Sequence, residues 1–206
     1  MEAQYEQNDR REAGQSRPGL LRASGIAGIA GGVCLAASAL MQAVQPPGCI
    51  AAECMGRTYR SAGPLEALLF LAGVLLITGA TLGFLGLVPP GLRGARIART
   101  AAAVAGTAMF MGVVLMGIAY YIGFALVLVG VAAYAVLGAG LALTRVLPAW
   151  SGALLSVSAL LLMAANDQNE RILFVVPFGM TWMVLGVLLW TAAYSTRNQN
   201  ARVQLA

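Results

Sequence analysis

"TAAAVAGTAMFMGVVLMGIAYYIGFALVLVGVAAYAVLGAGLALT", residues 100–144, runs for 45 residues without a charged side chain. As one α-helix it would be about 67 Å long, at about 1.5 Å per residue. The hydrocarbon core of a bilayer is about 30 Å thick. The run must therefore fold back on itself and supply two helices. The break is expected in "AYYIGF", Ala119 to Phe124. Tyr120 and Tyr121 suit a membrane interface there, and Gly123 permits a turn.

Four more uncharged runs flank this one, at 23–52, 67–92, 146–166 and 172–196. The chain is 59% hydrophobic and 10% charged, against about 45–50% and about 25% in soluble domains. A transmembrane barrel would show short alternating segments instead. The expected fold class is all-α, a polytopic membrane protein with a six-helix transmembrane bundle. Its helices are placed near 20–44, 64–88, 99–120, 123–143, 148–165 and 172–194. Pro64 and Pro148 suit first-turn positions, where a missing N–H costs little. "VPPG" at 88–91 ends the second helix. Residues 1–18 are polar and aperiodic and are read as a disordered cytoplasmic tail. Residues 19–195 form the transmembrane domain, and 196–206 a second cytoplasmic tail.

All 13 basic residues are Arg. With six spans, Arg10, Arg11, Arg17, Arg22, Arg93, Arg96, Arg99, Arg145, Arg197 and Arg202 fall on one side. Arg57, Arg60 and Arg171 fall on the other. Cytoplasmic loops carry the excess of positive charge, so both termini are expected in the cytoplasm of a bacterial cell, with the chain in the inner membrane. The bacterial source rests on the Arg, Ala and Gly bias, which is an association. The net charge of +5 follows from the same topology rule and does not call for nucleic acid. The expected partner is the lipid bilayer, joined by another membrane protein or a second copy of the chain.

Small residues supply candidate packing faces. Gly25, Gly28, Gly32, Ala36 and Ala39 share one side of helix 1, and Gly79 and Gly83 share one side of helix 2. Small residues let helix backbones approach closely in lipid. Contact within the chain is the preferred reading, and a dimer interface is the alternative.

Chemistry is sparse. There is no His, hence no usual general base and no His-ligated haem or metal. No Walker loop, HExxH or GxSxG elbow occurs. No charge lies mid-span, where it would mark an ion path or proton relay. No catalytic residue, metal or cofactor is expected. Glu66 falls at position N3 of helix 2, where a carboxylate favours the positive helix end. With Asp167, Glu170 and Arg171 it forms a candidate polar cluster on the outer face. Tyr134 lies near mid-span, and its hydroxyl needs a partner or a cavity. A solute path would run near Tyr134, Pro177 and Trp182. Cys34 reads as a packing residue. Cys49 and Cys54, placed outside, read as a disulfide, since redox pairs usually show C-x-x-C. A non-catalytic structural or accessory membrane component is the leading expectation. A carrier or channel for a small neutral or lipophilic solute comes next, and a thiol oxidoreductase using Cys49 and Cys54 after it.

Overall fold

The computed structural model describes residues 2–46, 48, 60, 63–89 and 91–204. Cys49 and Cys54 lie outside the described residues. The elements are α1 (Glu2–Ala43), α2 (Pro64–Leu87), α3 (Ala95–Met116), α4 (Tyr120–Thr144), α5 (Ala149–Leu162) and α6 (Val175–Gln204). A 3-10 turn at Glu170–Phe174 leads into α6. No strand occurs among the described residues.

Five stretches are long and apolar enough to cross a membrane: Gly19–Ala43 within α1, then α2, α3, α4 and Glu170–Ala193. This is a helical membrane bundle. Helix α5 is apolar but has 14 residues. It is about 21 Å long, shorter than the hydrocarbon core of about 30 Å. Helical backbone extends past the expected spans at both termini, from Glu2 in α1 and to Gln204 in α6.

The hairpin in the 100–144 run turns earlier than the sequence suggests. The break is Gly117–Ala119, and Gly123 lies inside α4. A Cβ at Gly123 would collide with the backbone of Met116 and Gly112 in α3. Its missing side chain therefore serves close helix contact, not a turn.

The six helices close into a ring in chain order. Helix α1 packs on α2 and α6, α3 on α2 and α4, and α5 on α4 and α6. Consecutive helices run antiparallel. Ser156 Oγ of α5 donates to Ala135 O of α4 at 2.7 Å, and Gly152 backs onto Gly138. Val44, Gln45, Arg60 and Gly63 therefore gather with residues 117–119 and 163–169 at one end of the ring. The other end holds Val88, Pro89 and residues 91–94 and 145–148, near Arg22, Arg96 and Arg99. There Arg99 Nη1 donates to Leu85 O at 2.8 Å and Val88 O at 3.0 Å. These are orphan carbonyls at the end of α2, where a cation also meets the negative end of the helix dipole.

Glycine sets the closest seams. A Cβ on Gly25 would come within 2.8 Å of Gly186 O, and one on Gly32 would strike Gly179 O. Gly28 meets Gly186 and Trp182 in the same seam. The small-residue face of α1 is thus filled by α6 of the same chain. Gly83 meets Ser24 of α1, but Gly79 has nothing within 4 Å. The expected pairing of Gly79 with Gly83 on one packed face does not form, because Gly79 turns away from α1.

Candidate functional site

The ring encloses a cavity of about 410 Å³. Every helix contributes to its wall: Leu35 from α1, Ile77 from α2, Met109 from α3, Val131 from α4, Leu162 from α5 and Phe178 from α6. The cavity opens beside Tyr120, Asn166 and Asp167, and Tyr134, fully buried, stands behind its inner end as the floor. Tyr120 and Tyr134 both belong to α4 and stand about 21 Å apart along it, at about 1.5 Å per residue. Phe70, Tyr120, Phe124 and Met163 line the mouth and are partly open to the surroundings.

A block of aromatic rings closes the floor. Tyr134 meets Phe178 at 5.5 Å and Trp182 at 5.6 Å, both edge-on, and Trp182 meets Phe84 at 6.0 Å. Edge-to-face contacts suit the ring quadrupoles. Tyr134 and Trp182 are fully buried. Thr81 Oγ1 donates its one proton to Ile77 O at 2.7 Å. The 3.1 Å contact between Tyr134 and Thr81 must then run from the tyrosine hydroxyl to Thr81. Tyr134 thus spends its proton on the wall and keeps acceptor capacity. Trp182 Nε1 and Thr78 Oγ1 are buried without a hydrogen-bond partner. Below the floor, Leu137, Leu141, Leu185 and Leu189 fill the ring. The cavity is a pocket open at one end and not a through-channel.

Arg60 fastens the rim. Its guanidinium donates to Pro46 O at 3.1 Å, to Asp167 O at 3.3 Å, to Asn169 O at 3.4 Å and to Gln45 O. Its backbone N–H donates to Gln168 Oε1 at 2.8 Å, and Gln168 Nε2 returns a bond to Arg60 O at 3.2 Å. Gly48 N donates to Gln168 O at 2.9 Å. The loop after α1 is thereby tied to the loop before α6.

Compared with known proteins, the chain matches no family model, no curated protein and no solved structure.

The residues singled out in the sequence fall in three places. Tyr134 lines the cavity, and Trp182 lies just beneath it. Pro177 is in the first turn of α6 and away from the cavity wall, with its carbonyl accepting from Thr181 Oγ1 at 2.8 Å. A missing N–H costs little in the first turn, so the regular helix begins at Val175 without a break at Pro177. The outer-face polar group does not assemble as one cluster. Glu66 Oε2 accepts from Gly63 N at 2.7 Å, and Oε1 accepts from Gln45 Nε2. This is the N3 capping role, extended to lock α2 against the end of α1. Ser38 Oγ adds a bond to Glu66 O at 3.0 Å. Arg171 N donates to Asn169 Oδ1 at 2.9 Å, which starts the 3-10 turn. Asp167 alone of the four lines the cavity, and Glu170 is exposed.

Arg60 is the residue that sequence reasoning passed over. No pattern in the sequence marks it: it stands 17 residues past the end of α1, beyond the last turn in which an arginine is expected to meet free helix carbonyls. Ser151, Ser156 and Ser158 each donate to a backbone carbonyl, so none of the three is paired with a base. Among the described residues no group of three His, Cys, Asp or Glu could hold a metal.

Proposed function

We propose that this integral membrane protein is a non-catalytic accessory component that holds a small lipophilic molecule within its bundle. The cavity carries the reading: about 410 Å³, with an apolar wall drawn from all six helices. That size lies within the range of about 300–1,000 Å³ typical of ligand pockets. Moving an apolar molecule from lipid into this site gains little from the hydrophobic effect, because lipid tails are equally apolar. Selectivity must come from shape, from Tyr134 on the floor and from the polar groups at the mouth.

Native mass spectrometry of protein released from nanodiscs tests the reading. The wild type should retain a bound lipophile, and Val131→Phe, which fills the cavity from α4, should lose it while keeping the wild-type melting temperature. Equal retention by both proteins would reject the site. A carrier is the second reading, favoured by Trp182 Nε1, buried beneath Tyr134 without a hydrogen-bond partner. Uptake into proteoliposomes that depends on Tyr134 would establish it, and binding without uptake would dismiss it.

The same reading includes six crossings, with α5 and residues 163–169 completing the fifth, in a bacterial inner membrane. The arginine-rich end then faces the cytoplasm with both termini, and the cavity opens to the outer leaflet. A Cys49–Cys54 disulfide would fasten the loop that Arg60 also holds. Labelling of Cys54 from outside only after reduction supports both points. Labelling without reductant rejects the disulfide, and labelling only from inside rejects the orientation.

A further inference from the structure

We propose that the cavity takes a single-chain amphiphile with a cationic head, its alkyl tail pointing towards Tyr134 and its head at Asp167. This rests on the cavity being a ligand site. The polarity of the wall is one-sided. Below the mouth the lining is aliphatic, aromatic and methionine, and the polar groups Asn166 and Asp167 sit at the opening. Among the described residues lining the cavity Asp167 is the one that carries a charge, and it is exposed. An amphiphile therefore fits tail first.

The sign of the head follows from the groups around the opening. Tyr120 and Phe124 stack there, with centroids 6.2 Å apart and planes 9° from parallel. Their faces carry negative quadrupole density, which attracts an ammonium group. Asp167 adds a full negative charge. Arg60, which reaches the rim, has its guanidinium occupied by four backbone carbonyls. Arg171 is exposed, does not line the cavity, and neighbours the exposed Glu170. Glu66 faces Gly63 and Gln45. An anionic head would thus meet a carboxylate with no cation on the described cavity wall to receive it. Each helix packs on both of its neighbours in the ring, which suits the cavity to one tail better than to two.

The test compares dodecyltrimethylammonium with dodecanesulfonate, which share a tail and differ in the sign of the head. Saturable binding to protein in nanodiscs of zwitterionic lipid is measured by calorimetry, with empty nanodiscs subtracted. The cation should bind about fivefold more tightly than the anion, from a ring-face contact and a partly exposed ion pair. Asp167→Asn and Tyr120→Leu should each reduce the preference in part at an unchanged melting temperature, and the double variant should bring the two affinities together. Saturable binding without preference for the cation, or a preference left undiminished by Asp167→Asn, would overturn this proposal alone. No saturable binding of either compound would overturn the ligand site as well.

Discussion

Arg60 offers the sharpest energetic test of how the mouth is held. It is 8% exposed. Its guanidinium makes four hydrogen bonds, all to carbonyls at Gln45, Pro46, Asp167 and Asn169. A hydrogen bond to a charged group contributes about 1.5–3 kcal/mol. Four cannot be summed, because burying the ion costs several kcal/mol and the two bonds from Nη1 are long. Water at the mouth can also reach carbonyls that lose their donor. Arg60→Met keeps the aliphatic stem and removes every donor, and we expect a loss of about 3 kcal/mol. For a chain of this size about 1 kcal/mol shifts Tm by about 2–4 °C, so the fall should be about 6–12 °C. Arg60→Lys keeps the charge but not the fork, and should fall between the two. Circular dichroism during heating in nanodiscs reads the effect, with the exposed Arg171→Met as a control near wild type. If Arg60→Met melted with the wild type, the clip would carry no stability and the two loops would be held some other way.

Glycine substitutions separate packed from open faces. Gly32→Leu should lower accumulation sharply, since its Cβ would strike Gly179 O, whereas Gly79→Leu should change stability by less than about 0.5 kcal/mol. Equal effects in a melting assay would contradict the ring order. Tyr134→Phe removes its bond to Thr81 and should cost about 1 kcal/mol while leaving the fold intact. A loss of several kcal/mol would show that the hydroxyl holds more than this one contact.

Bilayer thickness made much of this fold readable in advance. Uncharged runs longer than one span had to turn, and Pro64 and Pro148 marked where helices begin. The turn itself was misplaced because a glycine serves equally for a bend and for close packing. Only the neighbouring helix decides between these uses, as Met116 and Gly112 do for Gly123. Tyr134 stood out as a polar group in mid-span, but the cavity above it did not. A cavity depends on six walls meeting, and those contacts join residues far apart in sequence. Arg60 was obscure for a related reason. Its acceptors are backbone carbonyls, some more than a hundred residues away, and a carbonyl leaves no mark on the sequence.

The position of Trp182 allows the central claim to be tested inside the molecule. It is fully buried and touches Tyr134 on the cavity floor, while Trp150 and Trp190 are exposed. A variant with both exposed tryptophans replaced by Phe reports from the floor alone. Alkyl probes brominated at the tail end should quench its fluorescence, and probes brominated beside the head should not. Val131→Phe should abolish the quenching. Equal quenching by both probes, or none by the tail-brominated one, would contradict a ligand seated in the bundle.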